Sequence, residues 1–239
     1  MADVETERLI KEGSGPLDDL ALTLPLFVGY HLGVVFLPVR NAADMVTREL
    51  VQLAHNDLLT YSGLTVVIGV TFAAVLLVLG RRQSLHWQRF LLVAIEGVAY
   101  AVAMRVVAGY VVGRLQLYAG EAPTGIDSAF SGAIMSLGAG FYEELVFRVG
   151  LFGVGGKLLT TAFGGSGSRR FLILLGWATV VAGAFSAWHY IGDYGDTFEL
   201  KSFVFRWVCG LVFTVIFAFR GFAPAVWTHT LYDLWVLVF

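Results

Sequence analysis

The stretch FYEELVFRVG, residues 141–150, sets two adjacent glutamates and an arginine inside a run otherwise apolar enough to lie in a membrane. Whether those charges sit on a soluble helix or within a bilayer span decides the fold. Composition answers for lipid: 57% of the residues are hydrophobic, 14% are charged and the mean hydropathy is +0.75, whereas roughly a quarter of a soluble domain is charged. The chain reads as an all-α integral membrane protein, a polytopic helical bundle enclosing an intramembrane polar cavity. A net charge of −2 and a pI near 6.2 offer no broad basic surface, so no nucleic-acid partner is expected and the lipid bilayer is the surrounding medium. Cys209 is the single cysteine. An intramolecular disulfide and a multi-cysteine metal site are both excluded.

A spanning helix needs about 20 mostly apolar residues, and on that rule the chain divides into about seven segments, near 20–38, 58–80, 90–113, 126–155, 171–192, 203–220 and 222–239. Residues 1–19 form a polar N-terminal segment, and its acidic character does not resemble the basic opening of a cleaved signal peptide. Residues 20–239 read as one transmembrane domain, with the chemistry-bearing core in 126–239. The stretch TTAFGGSGSRR (160–170) reads as a flexible loop, and DYGDTFELK (193–201) as a polar connection. Nine basic residues fall on one side (Arg8, Lys11, Arg81, Arg82, Arg89, Lys157, Arg169, Arg170, Arg220) against four on the other (Arg40, Arg48, Arg114, Lys201). That bias places the N-terminus in the cytoplasm and, with seven spans, the C-terminus outside. A prokaryotic cytoplasmic membrane is the expected location.

A charge at the centre of a span costs about 2.5–3.5 kcal/mol on insertion scales, so such residues face a bundle interior or a wet cavity and often mark function. Glu143, Glu144, Arg148 and Asp233 are the main cases. Glu96 and Arg105 lie nine positions apart and so on roughly opposite helix faces; they need separate partners and read as structural. Arg206, near a span end, reads as a snorkelling side chain. Glu144 and Arg148, four apart, can form an intrahelical ion pair, while Glu143 is rotated about 100° away. One acid can be neutralised while the other stays available.

Histidines appear in two further apolar segments. FSAWHY (185–190) puts Phe185 and His189 four apart on one face, and WTHTLYD (227–233) does the same with His229 and Asp233. Histidine can act as a general base, donate to an oxyanion or ligate a metal, and a carboxylate can fix its tautomer. His31 in GYHLG reads as a satisfied structural group. Small residues recur at four-residue steps, Gly132, Ser136 and Gly140 on one helix and Ala178, Ala182 and Ser186 on the next. Such faces let backbones approach closely, which would bring Glu143 toward His189.

In order, EELVFR (143–148), FSAWH (185–189) and HTLYD (229–233) resemble the EExxxR, FxxxH and HxxxN/D motifs of the CPBP family, the CAAX-protease and bacteriocin-processing, Abi-like intramembrane proteases of glutamic type. The resemblance covers 143–233 and implies an endopeptidase acting on a membrane-associated protein or peptide, with C-terminal processing as one use. It implies that Glu143 and His189 activate a water, that His229 and Asp233 serve the oxyanion, and that Glu144, Arg148 and Phe185 support them. Where the family often has asparagine, this chain has Asp233, which when ionised accepts but cannot donate. Asp233 is therefore expected to orient His229 or favour its protonated form, leaving the oxyanion mainly to His229.

No cofactor or metal is expected. The competing set is zinc held by Glu143, His189, His229 and Asp233, against which stands the lack of a compact ligand motif such as HExxH. A non-catalytic peptide-binding or immunity protein using the same polar network, and a transporter lining an ion path, are the other function classes. One difficulty stays open. At 1.5 Å per residue, His189 lies about 27 Å along its segment from Phe171, whereas His229 is about 10 Å past Phe222 from what the division makes the same membrane side.

Overall fold

Apolar runs in lipid have no water to satisfy their backbone, so they close their hydrogen bonds within helices. The computed structural model describes residues 16–37, 41–44, 46–79, 87–114, 129–164, 166–191 and 195–239, and among them there is no strand. The helices are α1 (Pro16–Gly33, extended by a 3₁₀ turn Val34–Phe36), α2 (Thr47–Leu53), α3 (Leu58–Leu79), α4 (Trp87–Arg114), α5 (Ala129–Phe163), α6 (Gly167–Trp188), α7 (Leu200–Arg220) and α8 (Phe222–Leu237). The N-terminal segment up to residue 15, and Arg40, Arg81 and Arg82 of the charge tally, lie outside the described residues.

Among the described residues all seven expected segments are largely helical, but the count of seven spans is not confirmed. Five helices among those residues are long and apolar enough to cross a membrane: Asp18–Phe36, Gln88–Gly113, Ala129–Phe163, Gly167–Trp188 and Leu200–Arg220. In α3 the apolar run among described residues is Leu58–Thr71. Helix α8 has 16 residues, about 24 Å, short of a hydrocarbon core of about 30 Å. The expected loop 160–170 is also shorter than read. Helix α5 continues to Phe163 and α6 begins at Gly167, with the Ser166 hydroxyl accepting from Arg169 N at 3.5 Å as the N-cap. Lys157, counted among the basic residues outside the spans, lies on α5.

Helix α8 is the hub, packing against α1, α4, α5 and α7. Its N-terminal half is accordingly buried, including Ala223, Ala225, Val226, Thr228, His229 and Thr230. Gly221 starts it with φ 98°, a left-handed conformation open to glycine and strained for most other residues. The free N–H groups of that end are taken by Asp19 of α1, whose carboxylate accepts from Phe222 N at 3.0 Å and Ala223 N at 3.1 Å. A carboxylate there both caps and complements the helix dipole.

The two small-residue faces each seat a different helix, while Glu143 and His189 come within 3.8 Å of each other. A Cβ at Gly140 would overlap Thr230 and the Val226 carbonyl of α8, and one at Gly132 would meet the Leu237 carbonyl, so this face seats α5 on α8. The other face seats α6 on α7, where Ser186 donates to the Phe203 carbonyl at 2.6 Å and a Cβ at Gly210 would lie 3.2 Å from Ala182. Small-residue spacing marks a close approach without naming the partner helix. The outlying charges find separate partners, as their spacing requires. Glu96 takes Arg220 at 2.6 Å, and the Arg105 guanidinium lies 4.9 Å over the Trp235 ring. Arg206 does not simply snorkel: Asp196, in the connection before α7, pairs with it at 2.5 Å.

Candidate active site

The EELVFR motif does not sit on regular α-helix. Within α5 the backbone widens into π-helical turns over Ala139–Glu143 and again over Leu145–Gly155, in a stretch carrying Gly140, Gly150, Gly153 and Gly155. Such turns recur at functional sites because they re-aim side chains. Here they divide the two glutamates between different surroundings.

Glu144 points into a closed interior. It and Arg148 are fully buried, with Arg148 Nε 3.1 Å from Glu144 Oε2. The guanidinium also donates to the Gly210 carbonyl at 3.3 Å and lies 4.4 Å over the Phe185 ring and 5.0 Å over that of Phe213. The other Glu144 oxygen, Oε1, is 2.8 Å from His229 Nδ1. A carboxylate accepts, so Nδ1 carries the hydrogen and Nε2 points away from Glu144. Phe213 stacks on the His229 ring with centroids 4.5 Å apart, which fixes the plane of the imidazole.

Glu143 lies on the other side of that imidazole. Its Oε1 accepts from Asn41 Nδ2 at 2.7 Å. Its Oε2 is buried with no hydrogen-bond partner, 3.8 Å from His189 Nε2 and 4.0 Å from His229 Nε2. His189 follows the last residue of α6 and turns its ring back along the helix, so that Nδ1 donates to the Phe185 carbonyl at 2.9 Å. In the neutral ring this leaves the Nε2 lone pair directed at Glu143. Asp233 Oδ2 is 3.5 Å from His229 Nε2. The depth difficulty disappears at the level of side chains, since both Nε2 atoms reach one carboxylate oxygen although their Cα atoms lie at different positions along their helices.

The structure thus brings Glu143, His189, His229 and Asp233 to one point, with Glu144, Arg148 and Phe185 behind them. Phe185 touches His189, His229, Phe213 and Arg148 and is the apolar wall common to both histidines. Among the described residues no group of three or more His, Cys, Asp or Glu side chains is arranged to hold a metal ion. Asn41 and Phe213 were not singled out from the sequence. Phe213 carries no signal among 19 phenylalanines, and Asn41 is one polar residue in RNAAD just after the first span. His31 is, as read, a satisfied group: Nε2 meets Tyr142 Oη at 2.6 Å, and Nδ1 meets Tyr61 Oη at 3.1 Å and Thr47 Oγ1 at 3.2 Å.

A carboxylate with one anchored oxygen and one unpartnered oxygen facing two imidazoles is suited to taking a proton from a water between them. Comparison with curated proteins and with solved structures finds no match. Residues 125–235 match the family model described as type II CAAX prenyl endopeptidase Rce1-like, a span that contains all three motifs. Over those residues the chain is therefore similar to the Rce1-like type II CAAX prenyl endopeptidases of the CPBP family.

Proposed function

We propose that the protein is an intramembrane endopeptidase that hydrolyses a peptide bond near the C-terminus of a membrane-associated protein or peptide, using a water activated by Glu143 and His189. The observation that carries this reading is Glu143 Oε2, buried, without a hydrogen-bond partner, and 3.8 Å and 4.0 Å from the two histidine Nε2 atoms. Those separations exceed a hydrogen bond, and a water placed between Glu143 and His189 donates one hydrogen to each.

In the first step Glu143 Oε2 takes a proton from the water as its oxygen bonds to the carbonyl carbon, and the carbonyl electron pair moves onto oxygen. His229, holding one proton on Nδ1 for Glu144, donates from Nε2 to that oxyanion in its doubly protonated form. Carboxylates of Glu143, Glu144 and Asp233 within 4.0 Å favour that cation. In the second step the tetrahedral centre collapses, the C–N bond breaks, and the proton held by Glu143 passes to the leaving amine. Asp233 cannot donate to the oxyanion when ionised, and its role is to hold His229. Arg148 neutralises Glu144, so that the carboxylate beside His229 has a fixed position.

The test uses full-length protein in lipid vesicles and a quenched fluorogenic peptide ending in an S-prenylated cysteine followed by three residues, the substrate type named in the family description. Cleavage by wild type that is lost in Glu143→Gln supports the reading. Tight binding of the same peptide without cleavage favours the non-catalytic peptide-binding reading, in which the polar network is a scaffold.

A further inference from the structure

Asn41 lies in the short connection between α1 and α2, 102 positions from the glutamate that it touches and outside the family match at 125–235. It is buried at 7% exposure, and each of its hydrogen-bonding groups is committed. The side-chain oxygen accepts from Ala43 N at 2.8 Å, which leaves the amide nitrogen to donate to Glu143 Oε1 at 2.7 Å. Its backbone N–H donates to Tyr30 Oη at 3.2 Å, and that hydroxyl donates to Asp44 Oδ2 at 2.9 Å. Asp44 Oδ1 in turn accepts from Val46 N and Thr47 N at 3.0 and 2.9 Å. The connection is strapped to α1 at one end and to α2 at the other. Its one outward donor is aimed at the site.

We propose that Asn41 is a positioning residue for Glu143, whose amide N–H fixes the rotation of the carboxylate so that Oε2 faces both imidazoles. The proposal rests on the reading of Glu143 as the base. A free carboxylate at the end of a glutamate side chain turns about a broad, nearly two-fold torsion; a charge-assisted hydrogen bond to one oxygen selects the orientation of the other. No other side chain does this as well at position 41. Aspartate would set an acceptor against an acceptor, and glutamine is one methylene too long for both contacts. The chain before residue 125 therefore completes the site carried by the matched domain. A second link from α1 runs through His31 Nε2 and Tyr142 Oη at 2.6 Å, to the residue preceding Glu143.

The discriminating variant is Asn41→Asp, which keeps the shape and the acceptor for Ala43 N but removes the donor toward Glu143. It is measured in the full-length protein in lipid vesicles with the prenyl-peptide reporter, beside Glu143→Gln and the double variant. The expected result is a fall in kcat of about 10- to 100-fold, the size typical for losing a partner that orients a reacting group, with KM within about twofold of wild type. The double variant is expected to be no slower than Glu143→Gln alone, because the two act through one carboxylate. Where Asn41→Asp accumulates poorly, Asn41→Ala, which adds no charge, reads the same kcat. Wild-type kcat in either variant overturns the proposal. So does an equal further fall when Asn41→Asp is added to Glu143→Gln, since that shows an effect independent of the carboxylate. Full activity of Glu143→Gln overturns the hydrolase reading itself, and the proposal with it.

Discussion

The two glutamates of FYEELVFRVG are neighbours in sequence and opposites in surroundings. Around Glu144 the protein is sealed, with Arg148 wholly buried beside it, two phenylalanine rings flanking the guanidinium, and His229 taking the remaining oxygen. Around Glu143 it is open on one side. His189 keeps 25% and Asp233 19% of its side chain exposed, and one oxygen of Glu143 has no partner. On the proposed reading the same residue type is used once to build the interior and once for chemistry, and what separates the two positions is whether an arginine neutralises the charge. A buried carboxylate matched by a buried arginine is held in place and spent; one matched only by a neutral amide keeps its reactivity.

The sharpest way to break this comparison is to treat the two glutamates alike. Glu143→Gln is expected to lower the reporter cleavage rate by about 10²- to 10⁴-fold while the thermal unfolding midpoint in detergent stays at the wild-type value. On the sealed side, Arg148→Met leaves Glu144 buried without its counter-charge and is expected to destabilise the fold by about 3–5 kcal/mol, read as a lower unfolding midpoint and less extractable protein. Adding Glu144→Gln to Arg148→Met removes the uncompensated charge and is expected to restore part of that stability without restoring activity. If Arg148→Met folds normally, the sealed side is not structural.

Smaller effects test the boundary between the sides. Asp233→Asn keeps the side-chain shape beside His229 and adds a donor for the oxyanion while removing a charge. The expected fall in kcat is about tenfold or less, since about 1.4 kcal/mol separates a charged from a neutral partner here. The smallest effect is expected from a chelator. Dialysis against a strong zinc chelator should leave the cleavage rate unchanged, whereas loss on chelation and recovery with zinc would assign Glu143, His189, His229 and Asp233 to a metal instead.

Much of this could be read from the residues because it is local. Apolar runs predict the helices, and a four-residue step predicts the Glu144–Arg148 pair. The three motifs are visible because charges and histidines are conspicuous in apolar surroundings. What could not be read depends on distant parts of the chain or on small departures from helix geometry. Asn41 reaches Glu143 across 102 positions, Glu96 chooses Arg220 rather than Arg105, and neither choice leaves a periodic trace. The π-helical turns at 139–143 and 145–155 require only small backbone changes that no residue pattern dictates. The small-residue stripes announced tight packing but not which helix each would meet, because closeness is encoded in residue size while partnership is set by the whole bundle.

The measurement that tests the central claim most directly is a quantitative comparison of protein termini in host membranes carrying either wild type or equally abundant Glu143→Gln, which needs no prior choice of substrate. The account predicts at least one new terminus present with wild type, absent with Glu143→Gln, and regenerated when purified wild type is added back. Identical termini in the two membranes, with both proteins restoring the function lost on deletion, would contradict it and leave the charges of FYEELVFRVG as a scaffold.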